Sequence, residues 1–352
     1  MKKRIRDYGI IIGTGQTGPL NKITDVQGVT VGHCTVDTGE HKTGVTVILP
    51  CKDNPFTNKL TAAAYIHNGF GKTQGLVQIE ELGTLETPIA LTNTLNVGLV
   101  HDALVDYMID CCSQEGIELA SVNPVVGECN DGGLNKIQKR AVGKAQVDQA
   151  IASADEDFEE GCVGAGTGTV CFGLKGGIGS ASRIMNYDGR EYVLGALVQS
   201  NFGKTEDLMV NGKPIGKEFA GQIEAARLDV GSIMIIIATD LPVSHRQLKR
   251  IIKRAGVGLS RCGSYMGHGS GDIVIGFTTA NRMPVKSETE ILSMRALRED
   301  ALEAAFRAAA ESVEEAVLNS LAAAETTTGY QGTVRYGLSA VYPKYTEKIE
   351  EN

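Results

Sequence analysis

The stretch 228–242, LDVGSIMIIIATDLP, limits the fold more than any other part of this chain. Five consecutive apolar residues, Ile233 to Ile237, follow a Gly-Ser pair. A run of this kind fits a strand covered on both faces, so it belongs in the middle of a layered molecule. A Gly-Ser pair before a strand ordinarily makes a turn. It has a second use. If the Gly231–Ser232 bond is cut, Ser232 becomes a new N-terminus that holds a hydroxyl and a free α-amine, and the amine can serve as the hydroxyl's own general base.

The composition of the 352 residues, 42% apolar and 22% charged, is that of a soluble globular chain. A net charge of −8 argues against a nucleic-acid or anionic-membrane partner. The basic pairs Lys249-Arg250 and Lys253-Arg254 read as the solvated face of one short amphipathic helix. The apolar run of the N-terminal MKKRIRDYGIIIGTG is only three isoleucines, ended by Gly13, too short for a signal peptide or a membrane span, so a cytoplasmic location is expected. Eight cysteines without a CxxC pair read as reduced thiols. The six histidines form no HxH or HxxxH pair, so neither a metal nor any other cofactor is expected. The 43 glycines cluster in GCVGAGTGT, GLKGGIGS and GHGSG, which points to tight turns and close backbone approaches.

Strands are predicted over 23–32, 44–50, 88–92, 169–174, 192–199, 233–238 and 272–277, with a weaker one over 333–338. The small and polar residues of 61–75 read as a loop, and 122–131 as a turn. Helices are predicted over 95–112, capped at Asn93-Thr94, over 137–152, and from a capping box at Ser244 to Gly256. The longest, over 294–324, carries Leu302, Phe306, Ala309, Val313, Val317 and Leu321 as a stripe, and the charged tail KYTEKIEEN closes the chain. Helices and strands alternate without a linker, which fits one domain with helices over a large mixed sheet or a pair of sheets.

Four segments set glycine and polar residues beside apolar runs: 127–132 (GECNDG), 164–179 (GAGTGTVCFGLKGGIG), 200–203 (SNFG) and 267–272 (GHGSGD). The second has neither GxxxxGK[ST] nor a GxGxxG opening a helix, so a phosphate or dinucleotide site is disfavoured. Taken alone, Asn201 reads as a turn residue, Ser270 and Asp272 as a capped turn, and Glu128 as a solvated loop acid.

Together, NKITDVQGVTVGH (21–33), PVVGECNDGGLN (124–135), VGAGTGTVCFGLKGGIGSASR (163–183), LVQSNFG (197–203), GSIMIIIATDLP (231–242), SHRQLKRI (244–251) and SYMGHGSGDIVIGFTTA (264–280) resemble the L-aminopeptidase/D-esterase family, which includes the β-peptidyl aminopeptidases. The resemblance spans nearly the whole chain. It implies an α/β (α+β) fold, a single-domain four-layer αββα sandwich like that of N-terminal nucleophile hydrolases. It also implies self-cleavage between Gly231 and Ser232 into chains 1–231 and 232–352, and removal of N-terminal L-, D- or β-residues from small peptides, amides or esters bearing a free amine. In that reading Ser232 is the nucleophile, Asn201 donates to the oxyanion, and Ser270 and Asp272 support the nucleophile. Alternation allows residues 270 and 272 to share one face if the strand has begun by then. Glu128 receives the substrate ammonium, and Asn130 stands where some relatives carry a substrate-contacting tyrosine. Some relatives have Glu at position 272. Lys175 receives no role, and the cleaved pairs are expected to form a homo-oligomer.

Two other readings stay open. One is an acyltransferase resembling the ornithine acetyltransferases, although those use threonine as nucleophile. The other is an unprocessed, non-catalytic binding relative. A metal-dependent aminopeptidase is disfavoured by the scattered histidines and carboxylates.

Overall fold

The computed structural model describes residues 2–342, and the predicted KYTEKIEEN tail lies outside the described residues. In chain order the elements begin β1 (Thr30–Asp37), β2 (Lys42–Leu49), β3 (Asn58–Gly69), α1 (Leu76–Leu82), β4 (Thr84–Leu85), β5 (Ile89–Thr92), α2 (Val97–Gln114), β6 (Val125–Glu128) and α3 (Lys144–Ala152). They continue with β7 (Val170–Cys171), β8 (Leu174–Lys175), β9 (Ile178–Tyr187), β10 (Arg190–Asn201), α4 (Gly216–Phe219) and β11 (Val230–Thr239). Then come α5 (His245–Ile252), α6 (Ala255–Arg261), β12 (Gly269–Pro284) and α7 (Glu303–Ala322), followed by the short β13 (Thr327–Thr328), β14 (Val334–Arg335) and α8 (Leu338–Val341).

Two sheets carry the molecule. One runs β1-β2-β5-β6 and the other β4-β3-β12-β11-β10-β9, with β11 and β12 parallel. Side chains of β11 alternate between two cores. Met234, Ile236 and Ala238 join Leu91, Val125 and Leu197 between the sheets, while Ile233, Ile235 and Ile237 pack with residues of α5, α6 and α7 on the other side. A third core lies between the four-stranded sheet and α2 and α3. The order of layers is therefore helix, sheet, sheet, helix, as the resemblance implies. The unbroken apolar run of β11 follows from this placement, since each fully buried isoleucine contributes about 1.5–3 kcal/mol.

Several predicted elements differ. Residues 61–75 are not a loop, because 58–69 form β3 beside β12. Ala63 packs into the core on the α5 side and Ala62 and Ala64 into the core between the sheets, and a ring nitrogen of His245 at the start of α5 lies 2.7 Å from the Ala62 carbonyl oxygen. The strand predicted over 23–32 begins only at Thr30. Ile23–Asp25 is a 3-10 turn held by Asp25, whose carboxylate accepts the backbone N–H groups of Leu20 and Lys22 and the Ser182 hydroxyl. The predicted turn at 122–131 contains β6, paired in parallel with β5. The helix predicted from 137 starts at Lys144, and the strand predicted over 169–174 is the short β7–β8 hairpin. The helix expected to reach Gly256 stops at Ile252 and restarts as α6. Residues 333–338 hold only the two-residue strand Val334–Arg335. Helix α7 begins at Glu303 and is buried nearly all round rather than along one stripe: Glu311 and Glu315 meet Arg183 at 3.1 and 2.7 Å.

Candidate active site

The head of β11 lies between two strand ends. Asn201, the last residue of β10, stands opposite Ser232, while on the other side Gly231 pairs with Ser270 and Ser232 with Gly271. Gly231 has φ +121°, and a side chain there would place its Cβ 1.9 Å from the Asn201 carbonyl oxygen. Only glycine fits, on conformational and on steric grounds. The Ser232 hydroxyl turns back and donates to the Gly231 carbonyl oxygen at 2.6 Å, so it rests against the carbonyl of the bond that precedes it. Ser232 is 4% exposed.

By the alternation of β10 and β11, Ser232 and Asn201 share the face turned toward the second sheet. The Asn201 Oδ1 accepts the backbone N–H of Val170 at 2.9 Å, which leaves the NH2 end to donate elsewhere. Glu128 ends β6 in the second sheet. Its neighbour Gly127 packs under Met234, where a Cβ would come within 2.6 Å of the Met234 methyl carbon. The Glu128 carboxylate accepts the backbone N–H of Lys72 at 3.0 Å and the hydroxyl of Thr94. Gly71 bridges the two sheets: a Cβ on it would lie 3.8 Å from Glu128 Oε1, and its own Cα packs 3.1 Å from where a Cβ of Gly271 would stand. Glu128 thus lies across a glycine-lined gap from the strand position beside Ser232.

Ser270 and Asp272 lie on the opposite face of the sheet, with Val274 and Ile233. The strand has begun at Gly269, and the Ser270 hydroxyl donates to Asp272 Oδ1 at 2.8 Å, as the spacing predicts. Burial pushes the Asp272 carboxyl up to about 6; the Ser270 hydrogen bond opposes this and the negative charge of Asp229 adds to it.

Asp229 is a residue that the sequence reading missed. It stands on the same face as Ser270, and its Oδ2 accepts from the Ser264 hydroxyl (3.1 Å), Tyr265 N–H (3.1 Å) and Gly267 N–H (3.2 Å). It therefore fixes the loop that delivers Ser270. The Gly267 carbonyl in turn accepts the Ser270 N–H at 2.9 Å. The available signal was an acid three residues before Ser232, next to a glycine-rich loop. Among the described residues, Asp272 Oδ2 and Asp229 Oδ1 are both buried without a hydrogen-bond partner.

Asn130 is not drawn into this group: it is exposed, and its Oδ1 caps a turn by accepting the Gly132 N–H at 2.9 Å. The structure thus brings Gly231, Ser232, Asn201, Ser270 and Asp272 to one strand end, with Ser232 and Asn201 on the face toward Glu128 and Ser270 and Asp272 on the other. Such a set can attack an acyl carbon, stabilise the oxyanion and hold an ammonium group.

The profile of peptidase family S58 matches residues 21–335. The β-peptidyl aminopeptidase BapA of Sphingosinicella microcystinivorans is 39% identical over 353 aligned residues, covering 94% of this chain and 88% of that protein. The crystal structure of the PH0078 protein from Pyrococcus horikoshii OT3 superposes with a TM-score of 0.91 at 47% identity, covering 98% of this chain and 99% of that one. The L-aminopeptidase D-Ala-esterase/amidase of Ochrobactrum anthropi, described as a variant of the Ntn hydrolase fold, gives a TM-score of 0.89 at 36% identity over 98% and 99% of the two chains.

Proposed function

This chain belongs to peptidase family S58, and on that footing we propose that it is a self-processing serine aminopeptidase whose nucleophile is Ser232. Its substrates are small peptides, amides or esters with a free amine on an N-terminal L-, D- or β-residue. The observation that carries this reading is the Ser232 hydroxyl seated at 2.6 Å on the oxygen of the Gly231 carbonyl, at a backbone conformation only glycine adopts.

In maturation Ser232 Oγ adds to the Gly231 carbonyl carbon. The C–N bond breaks, the Ser232 nitrogen takes the hydroxyl proton, and an ester remains that water opens. The products are chain 1–231, ending in the Gly231 carboxylate, and chain 232–352, beginning with a free amine. An α-amine titrates near 7.7–8.0 in model peptides, so at neutral pH a usable fraction is neutral and can accept the serine proton in turnover. Glu128 anchors the substrate ammonium, the Asn201 amide NH2 binds the oxyanion, and the leaving amine carries away the proton held by the Ser232 amine. Water then repeats the attack on the acyl ester.

The face carrying Asp229, Ser270 and Asp272 suits the new N-terminus rather than the hydroxyl. Its two carboxylate oxygens without a partner among the described residues suit the amine in the protonated form it takes once it has accepted the serine proton. The reading extends to a homo-oligomer of cleaved pairs in the cytoplasm. What supports association is the set of large apolar side chains left exposed at Val77, Leu82 and Ile291.

Intact-mass measurement of the purified protein tests the proposal. Two chains are expected, the smaller beginning Ser-Ile-Met, whereas an unbroken polypeptide that hydrolyses amino-acid amides would overturn it.

A further inference from the structure

Lys175 takes part in none of these steps, yet it is 0% exposed. Its Nζ donates to three backbone carbonyl oxygens, those of Gly166 (2.9 Å), Thr169 (3.0 Å) and Gly176 (2.8 Å). Among the described residues no carboxylate lies within ion-pair distance of it. An ammonium held by backbone carbonyls and the Cys162 side chain is a costly way to close a glycine-rich turn, because its desolvation is not offset by a paired carboxylate.

One of the three carbonyls is informative. Thr169 O belongs to the same peptide unit as the Val170 N–H, and that N–H donates to Asn201 Oδ1 at 2.9 Å. Val170 and Lys175 are also register partners across the β7–β8 hairpin, so the backbone holds this arrangement independently of the side chain. A cation on a peptide oxygen strengthens the N–H at the other end of that peptide, and a stronger bond to Oδ1 makes the Asn201 NH2 a better donor.

We infer that Lys175 is a positioning residue, which orients and polarises the oxyanion donor Asn201 through the single peptide Thr169–Val170. The inference rests on the reading of Asn201 as that donor.

The charge state of Lys175 supplies a second handle. Burial lowers its proton affinity below that of an ordinary lysine. Cys162, on the loop before the hairpin, and Asp131, on the loop after β6, oppose this shift, while Lys2 from the N-terminal segment adds to it. Cys171 on β7 faces it as well. Loss of the Lys175 proton at alkaline pH should therefore lower kcat, not KM. Arginine does not titrate in this range.

The test compares Lys175→Met, Lys175→Arg, Asn201→Ala and the Lys175→Met/Asn201→Ala pair, reading precursor processing on denaturing gels and kcat and KM on an amino-acid amide across pH. Lys175→Met is expected to lower kcat about tenfold, less than the 10²–10³ lost with a whole donor. KM stays as it was, and the Asn201→Ala background shows no further loss of processing rate. Lys175→Arg is expected to keep kcat and to lose the alkaline limb. The inference fails if Lys175→Met leaves kcat unchanged, or slows processing by the same factor with and without Asn201, as a purely structural lysine would. Should Lys175→Met not accumulate as folded protein, Lys175→Arg decides: an alkaline limb identical to that of the unmodified enzyme overturns the inference. A wild-type rate in Asn201→Ala alone would instead remove the assignment of Asn201 itself.

Discussion

The two faces of the sheet at the head of β11 differ in how completely their polar groups are satisfied. On the inter-sheet face, the Ser232 hydroxyl, the Asn201 Oδ1 and both oxygens of Glu128 have hydrogen-bond partners before any bond is cut. On the helix-side face, Asp229 and Asp272 each keep one buried carboxylate oxygen without a partner among the described residues. A buried unpaired acid oxygen destabilises the chain that carries it. On the proposed reading, the first face has its groups bonded in advance of the chemistry, whereas the second would be completed by the ammonium that self-cleavage would supply.

The largest effect should come from removing the hydroxyl. Ser232→Ala is expected to leave a full-length chain on a denaturing gel and to lower amidase turnover by about 10⁶-fold, the order seen when a serine nucleophile is removed. A cleaved or active Ser232→Ala protein would end the division of labour between the faces. Next is Asn201→Ala, expected to lower kcat by about 10²–10³ with little change in KM. Steady-state kinetics on the processed fraction checks this, and a loss confined to KM would move Asn201 from the oxyanion to substrate binding.

Glu128→Gln keeps the shape of the side chain and one oxygen to accept the Lys72 N–H, puts an NH2 that can donate to the Thr94 hydroxyl in place of the other oxygen, and removes the charge. Because a hydrogen bond to a charged group is worth about 1.5–3 kcal/mol, kcat/KM for substrates with a free amine should fall roughly 10- to 100-fold. Self-processing, which involves no substrate ammonium, should keep its rate. Equal slowing of both would show that Glu128 acts on the site as a whole.

Much of this was legible in the sequence because it depends on local spacing. The apolar run of β11 predicts burial on both faces, and the Ser-x-Asp spacing of 270 and 272 predicts a shared face once the strand begins. The capping box at Ser244 is present, with its hydroxyl accepting the Gln247 N–H at 3.3 Å. What escaped depends on contacts between distant segments. Ala62–Ala64 look like loop residues until the second sheet and the helix layer are laid on the two faces of β3, and Asp229 looks like a surface acid until the 264–267 loop wraps around its Oδ2. Lys175 is illegible for the same reason, since nothing in the sequence near it says that a lysine will be fully buried among carbonyls. Which face Ser270 and Asp272 occupy relative to Ser232 is a matter of register between β11 and β12, and no local pattern encodes it.

The smallest expected effect isolates the unsatisfied face by itself. In the uncut chain Asp272 is pushed up to about 6, above the roughly 3.9 of an exposed aspartate. The folded chain therefore holds a proton that the unfolded chain has released, and between about pH 4 and pH 6 the native state binds more protons. Stability from this group is thus greatest below pH 4 and is lost as pH rises through 6, by up to about 3 kcal/mol at 1.36 kcal/mol per pH unit. Other buried acids, Asp131 and Glu160 among them, titrate upward as well, so the Asp272 contribution must be read as a difference. Urea midpoints of the uncleavable Ser232→Ala chain at pH 4.5 and pH 7 should differ more than those of Ser232→Ala/Asp272→Asn. The cleaved wild-type enzyme should behave like the latter, because its new ammonium neutralises the same carboxylate. If Ser232→Ala and the double variant share one pH dependence, the second face is not waiting for a charge, and the contrast between the two sides of β11 is only one of packing.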